Sequence, residues 1–114
     1  MSERDIMLLL QDILESAEKI RRYIDGYDYK DFLDDDKTID AVVRNFEVIG
    51  EAGNRIDPEF RNNNPEINWN RIRGFRNRLV HDYFGIDYAI VWSIIQNDLD
   101  DLISSIKRLI QNHT

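Results

Sequence analysis

The chain has 114 residues, of which 15 are Lys or Arg and 22 are Asp or Glu, so its formal net charge at pH 7 is −7. This length suits one domain with one core, and an apolar content of 42% argues against intrinsic disorder. No apolar run approaches the roughly 20 residues that span a bilayer, which predicts a soluble protein. The absence of Cys excludes disulfides and Cys-ligated zinc, and it is compatible with the reducing cytoplasm in which we place the protein.

Apolar residues at steps of three and four predict two helices in the first half of the chain. The first covers about residues 6–24, with Ser2 as its N-cap. The acid-rich stretch that follows has no sustained period, which predicts a loop with room for a short turn of helix. The second helix covers about residues 39–56. Gly50 and Gly53 weaken it, which indicates that they allow another helix to approach closely.

The second half of the chain predicts two further helices. Residues 58–65 are rich in turn formers, and a third helix covers about residues 68–83 and ends before Gly85. A long closing helix runs over about residues 87–110. Four helical segments with short connections predict an all-α, single-domain, up-and-down four-helix bundle over the whole chain. Because its apolar faces are wide for so small a bundle, we expect one surface to be buried in a homodimer.

The third predicted helix reverses the acidic character of the chain. Residues 67–81 contain four arginines and no acid, so this segment carries +4 and the remainder carries −11. Arginine without lysine suits bidentate binding of phosphate. The alternative is that these arginines pair with acids of neighbouring helices, such as Glu47, Glu51 and Asp98. The four arginines of this segment are Arg71, Arg73, Arg76 and Arg78.

Two groups of acidic residues raise the question of a metal ion. The loop of residues 28–36 lacks the glycine and the closing glutamate of an EF-hand, which favours a solvated loop over a calcium site. Two acidic pairs could face the bundle interior and hold Mg²⁺, in a loose resemblance to all-helical nucleoside triphosphate pyrophosphohydrolases. Surface charges or partners of the arginines are the favoured interpretation, and we expect no metal and no cofactor. The two acidic pairs considered for Mg²⁺ are Glu47 with Glu51 and Asp98 with Asp101.

Residues 76–83, Arg-Asn-Arg-Leu-Val-His-Asp-Tyr, place a histidine at the predicted C-terminal end of the basic helix. At about 100° per residue, Arg76 and His81 lie about 140° apart and can flank one cleft. The helix dipole favours protonated His81, which would hold its pKa near neutrality. An arginine and a proton-transferring histidine suffice, without a metal, for attack of an RNA 2′-hydroxyl on its own phosphodiester. The alternative is that His81 caps the helix or hydrogen-bonds in the core.

The pattern Arg-x-x-x-x-His-x-Tyr, at Arg76, His81 and Tyr83, resembles the signature of HEPN-superfamily ribonucleases. Its final tyrosine resembles that of the HepT-like toxins of prokaryotic toxin–antitoxin pairs. Phe75 stands where this family leads one to expect Met. Three further blocks resemble the same family, at residues 44–52, 69–77 and 87–99.

The resemblance implies a ribonuclease toxin of a HEPN/minimal nucleotidyltransferase pair, of the type VII-like kind. Such proteins are homodimers in which two motif helices face each other across a composite cleft. The resemblance implies that His81 is the general base or acid and that Arg76 stabilises the scissile phosphate. Metal-independent cleavage would leave a 2′,3′-cyclic phosphate or its hydrolysis product. Spacing adds Arg73, Asn77 and Arg78 as RNA contacts.

The resemblance also implies that a minimal nucleotidyltransferase antitoxin transfers AMP onto Tyr83. The added negative charge beside Arg76 would block the phosphate site. The alternative for Tyr83 is packing or hydrogen bonding within the site. The alternative for the chain is a non-catalytic helical module that binds nucleotides or the nucleotidyltransferase. In an enzyme Arg76 and His81 should be accessible, whereas in a module they should be buried or paired with acids of the same chain.

Overall fold

The computed structural model describes residues 1–81 and 85–113, without the side chains of Arg76, Val80 and His81. In these ranges the chain forms eight helices and two short strands. None of the helices described there is long and apolar enough to cross a membrane. The elements are α1 (Glu3–Tyr23), α2 (Tyr29–Leu33), α3 (Asp36–Arg55), α4 (Pro58–Asn63), α5 (Trp69–Arg73), α6 (Phe75–Leu79), β1 (Val80–His81), β2 (Gly85–Ile86), α7 (Tyr88–Asn97) and α8 (Leu99–Asn112).

The N-terminus of α1 is closed by the cap that the sequence predicts. The Ser2 hydroxyl accepts the Asp5 backbone N–H at 3.1 Å, and the Asp5 carboxylate accepts the Ser2 backbone N–H at 3.3 Å. This reciprocal pair satisfies two amides that no helical carbonyl reaches. At the other end the chain turns at Gly26, whose φ of 77° suits a residue without a side chain.

The helices assemble as the predicted all-α bundle. Helix α1 packs against α3 and α8, while α5 and α6 pack against α3, and α7 contacts both α6 and α8. The four predicted helical segments therefore correspond to α1, α3, α5 with α6, and α7 with α8. Their apolar faces form one continuous core, because side chains spaced three and four apart point to the same side of each helix. Among its fully buried residues are Leu10, Ile13, Phe46, Ile95, Leu99 and Ile106.

The prediction of one helix over residues 68–83 is wrong. The chain turns at Gly74 between α5 and α6, and the helix ends at Leu79. In a longer helix the Leu79 carbonyl would accept an N–H four residues later, but here it accepts the Asp87 N–H at 2.9 Å. Val80 pairs with Ile86 in the antiparallel strands that follow, and Gly85 takes a φ of 77°.

Two smaller expectations also differ from the structure. The turn-rich stretch forms the short helix α4, because Asp57 accepts the Glu59 N–H at 3.0 Å and Pro58 occupies the first helical position. The closing helix breaks at Asp98 into α7 and α8. Aspartate is a weak helix former, and the Asp98 carboxylate is held by Arg71 instead of capping α8. The expected short turn of helix after α1 is confirmed as α2.

Gly53 allows α5 to approach α3 closely, as the sequence predicts. A Cβ atom at this position would lie 2.8 Å from Cγ2 of Ile72. Ile72 is only 3% exposed, and its branched methyl group is surrounded by packed core, so it has little space into which to move. The position of α5 therefore depends on the missing side chain.

We expect Gly53→Ala to lower the free energy of unfolding by about 1–3 kcal/mol, because the added methyl group overpacks the α3–α5 contact. Urea unfolding monitored by tryptophan fluorescence measures the change. Glu51→Ala, at an exposed position of the same helix, is the control and should change stability by less than about 0.5 kcal/mol. A Gly53→Ala variant as stable as the parent would contradict the close approach.

Asp35 joins the acidic segment to the start of α3. Its carboxylate accepts the Tyr27 hydroxyl at 2.5 Å, the Thr38 hydroxyl at 2.7 Å and the Thr38 backbone N–H at 3.0 Å. These hydrogen bonds, with that of Tyr27 the strongest, lower the pKa of Asp35 to about 2. The negative charge of Asp35 is thus favoured in the folded chain.

Because the folded pKa of Asp35 lies below its unfolded value of about 4, its contribution to stability is complete above that value. It is lost as the pH falls towards 2. Tyr27→Phe removes the strongest donor, so its melting temperature should fall less steeply between pH 5 and pH 2 than that of the parent. Thermal melts across this range test the expectation, and Tyr23→Phe should keep the parental slope. Identical slopes for Tyr27→Phe and the parent would refute it.

Candidate functional site

Helix α6 is fixed to the bundle by its two apolar residues. Phe75 is buried and meets Phe46 of α3 edge to face, with ring centroids 5.2 Å apart. Leu79, four residues later on the same face, is fully buried. The opposite side of this short helix is therefore available to polar residues, and Asn77 is exposed there.

Two arginines of the basic segment share one carboxylate. Nε of Arg71 donates to Oδ2 of Asp98 at 2.7 Å, and Nη1 of Arg78 lies 3.5 Å from the same oxygen. The Asp98 side chain is only 15% exposed, so solvent screens these attractions weakly. Pairing with Asp98, one of the alternatives for these arginines, is thus confirmed for Arg71 and Arg78.

Arg73 has a different kind of partner. Its Nε donates to Oδ1 of Asn54 on α3 at 2.8 Å, so a neutral amide holds it in place. Its positive charge is therefore not balanced by that contact. In the part of the chain that the structure describes, no ion pair joins Arg71, Arg73 or Arg78 to Glu47 or Glu51.

The residues of the Arg-x-x-x-x-His-x-Tyr pattern fall partly outside the described residues. The backbone of Arg76 lies in α6 and that of His81 lies in β1, opposite Gly85, but their side chains are not described. Tyr83 lies outside the described residues altogether. Because the helix ends at Leu79, the expectation that His81 occupies a face or the C-terminus of a continuous helix is wrong. Their accessibility to solvent stays a prediction.

The acidic pairs do not form a metal centre. Among the residues that the structure describes, no group of three or more His, Cys, Asp or Glu side chains is arranged to hold a metal ion. The hypothesis of Mg²⁺ held by Glu47, Glu51, Asp98 and Asp101 is therefore wrong. Asp98 binds arginines instead.

Sequence reasoning missed Arg61. It lies in α4, within the stretch that was predicted to be a turn, and its Nη1 donates to the Gly53 carbonyl oxygen at 3.1 Å. Arg61 and Arg73 line the same open cleft of about 530 Å³. Neither charge nor periodicity singles out Arg61, because its neighbours along the chain are mostly asparagines and prolines.

We expect Asp98→Asn to lower the free energy of unfolding by about 1–2 kcal/mol, because it weakens the charged hydrogen bond from Arg71 and the ion pair with Arg78. In a double-mutant cycle with Arg71→Gln, the two effects should be less than additive by at least about 0.5 kcal/mol. Urea unfolding of the four proteins measures the coupling. Asp101→Asn, at an exposed position of α8, is the control. Additive effects of Asp98→Asn and Arg71→Gln would exclude a stabilising pair.

Comparison with known proteins identifies relatives along most of the chain. The family model described as Ribonuclease HepT-like matches residues 13–109. A provisionally named RNase of Methanocaldococcus jannaschii is 41% identical over 99 residues, which cover 87% of this chain and 91% of that protein. A provisionally named ribonuclease HepT of Thermococcus cleftensis is 37% identical over 100 residues, which cover 88% and 91% of the two chains. A provisionally named RNase of Caldanaerobacter subterraneus is 34% identical over 102 residues, or 90% and 91%. No solved structure matches the chain significantly.

Proposed function

The chain belongs to the HepT-like ribonuclease family, and from this premise we propose that it is a metal-independent endoribonuclease and the toxin of a toxin–antitoxin pair. The observation that carries the proposal is the family match over residues 13–109, which includes the whole pattern from Arg76 to Tyr83. The exposed side chains of Arg73 and Asn77 support the proposal, because both place hydrogen-bond donors on the segment that carries the pattern. The charge of Arg73 is not balanced by its neutral partner.

In the proposed reaction His81 takes the proton of an RNA 2′-hydroxyl, and that oxygen attacks the adjacent phosphorus. The bond to the 5′-oxygen breaks, and this leaving oxygen receives a proton, so the products are a 2′,3′-cyclic phosphate and a 5′-hydroxyl end. The cyclic product can then be hydrolysed. Arg76 balances the negative charge that grows on the phosphate oxygens in the transition state. Arg73, Asn77 and Arg78 contact the RNA, with Arg78 the weakest because Asp98 already pairs with it.

The proposed enzyme is a homodimer with a composite cleft, in which each protomer supplies one arginine and one histidine. Support comes from large exposed side chains just after the β1–β2 hairpin and on α2. Tyr88 begins α7 directly after this hairpin and is 44% exposed. Tyr29 and Leu33 of α2 are also exposed, and the Tyr29 ring lies 6.1 Å from that of Trp92. Exposed aromatic side chains on α2 and at the start of α7 are typical of a protein interface.

The proposal includes control of the enzyme by a minimal nucleotidyltransferase antitoxin. Transfer of AMP onto Tyr83 would add bulk and a negatively charged phosphate two residues after His81, and the negative charge would compete with RNA for Arg76. We place the pair in the cytoplasm, where its RNA substrate is present.

A non-catalytic helical module is the second candidate, and a specific observation favours it. Of the three arginines of the basic segment whose side chains are described, Arg71 and Arg78 are paired with Asp98. The net charge of −7 also weakens binding of RNA outside a localised basic surface. The two candidates differ in whether His81 supports cleavage.

We expect the parent protein, with its intact mass checked for added AMP, to cleave total cellular RNA in EDTA, and His81→Ala to be inactive. Arg76→Ala should slow cleavage by about 10²–10³-fold, because a donor to a transition-state charge contributes about 3–4 kcal/mol. Gel analysis of the products and their 2′,3′-cyclic ends measures both effects. Arg22→Ala, at an exposed position near the end of α1, is the matched control and should cleave at the parental rate.

Light scattering and circular dichroism should show that all four proteins are folded dimers. Retained cleavage by a pure His81→Ala variant would refute the role of His81. No cleavage of any tested RNA by the unmodified dimeric parent would favour the non-catalytic module.

A further inference from the structure

Arg61 and Arg73 differ from the other described arginines near the motif in having no carboxylate partner. Both meet the last turns of α3, where Arg61 donates to the Gly53 carbonyl oxygen and Arg73 donates to the Asn54 side chain. Because these acceptors belong to consecutive residues, the two guanidinium groups lie close to each other. Both acceptors are neutral, and the Gly53 carbonyl is one of the four that lack a helical partner at the end of α3.

The two charges repel each other. Burial lowers the pKa of Arg61, and the nearby charge of Arg73 lowers it further, while Asp57 acts in the opposite direction. The Asp57 carboxylate caps α4 through the Glu59 N–H. In the described part of the chain, no ion pair joins Arg61 or Arg73 to a carboxylate. This contrasts with Arg71, which donates directly to Asp98.

The cleft that these arginines line has the size and lining of a site for a small polar group. Its volume is about 530 Å³, within the usual range for ligand sites. Asn62 and Asn70 add exposed amides, and Glu66 is the one acid among the described lining residues. Two cations held by neutral oxygens at the edge of an open cleft are best neutralised by an anion that offers several oxygens.

We propose that this cleft binds a phosphodiester group of RNA next to the one that is cleaved, with Arg61 and Arg73 as its ligands. The inference rests on the proposed ribonuclease function and deepens it. Arg73 ends α5 and Arg76 lies in α6, three residues later and across the turn at Gly74, so the cleft adjoins the motif segment and a strand bound at the motif can continue into it. Arg61 thereby becomes an RNA-binding residue from outside the basic segment.

The test measures binding of a fluorescent 12-nucleotide 2′-O-methyl RNA, which cannot be cleaved because it has no free 2′-hydroxyl. Arg61→Gln and Arg73→Gln should each weaken binding about 5–10-fold at low salt. Each should also reduce the slope of log K against log salt concentration by about 0.7, the value for one phosphate contact on a single strand. Arg61→Lys should retain most of the slope, because it keeps the charge.

Arg22→Gln is the matched control, since it removes an exposed arginine far along the chain from the cleft and should leave affinity and slope unchanged. Thermal melts identify any variant that fails to fold. If Arg61→Gln unfolds, Arg73→Gln decides, because Arg73 is exposed and bonded only to a neutral side chain in the described contacts. Parental affinity and slope in folded Arg61→Gln and Arg73→Gln would overturn the inference.

A competition arm distinguishes RNA from free phosphate. Inorganic phosphate at 1 mM should displace the oligonucleotide poorly, and a 4-nucleotide RNA should bind more weakly than the 12-nucleotide RNA. Efficient displacement by phosphate, with no effect of length, would identify a free-phosphate site and overturn the RNA assignment. A parent that binds the oligonucleotide through Arg61 and Arg73 but cleaves no RNA would refute the proposed function and leave the binding site standing.

Discussion

The carboxylate of Asp98 is the point on which the arrangement of the basic segment depends. It lies at the break between α7 and α8 and accepts Arg71 from α5, with Arg78 from α6 close to the same oxygen. One nearly buried charge thus connects the segment that carries the family motif to the second half of the bundle. Because two cations share it, the carboxylate balances only part of their charge, and the surface around α5 and α6 remains positive.

The partners of the arginines divide them into two groups. Arg71 and Arg78 face a carboxylate and stabilise the packing of α5 and α6 against the α7–α8 junction. Arg61 and Arg73 face neutral oxygens at the end of α3 and are the proposed ligands of an RNA phosphate. The proposal that an acidic chain binds RNA depends on this division, since attraction is concentrated where protein carboxylates do not neutralise the arginines.

Close packing, as well as charge, positions the arginines and helix α6. Without a side chain at Gly53, Ile72 can lie against α3, and this contact brings Arg73 within reach of Asn54. Phe75 and Leu79 then fix α6 through the core. The short hairpin after α6 redirects the chain, so His81 follows the helix instead of belonging to it.

Local sequence patterns determined the two long helices α1 and α3 and the cap at Ser2, because these features depend on side chains a few residues apart. Gly53 indicated that another helix approaches closely, but only the tertiary structure decided that the approaching residue is Ile72 of α5. The same sequence indicated the motif residues Arg76, His81 and Tyr83, whose roles stay predictions.

Only the tertiary structure decided where the basic segment stops being helical, since the Leu79 carbonyl is bonded to Asp87, eight residues away. It also decided which arginines pair with a carboxylate and that Arg61 lines the same cleft as Arg73. Those outcomes depend on contacts between residues up to 27 positions apart, such as Arg71 with Asp98, and local spacing carries no information about them.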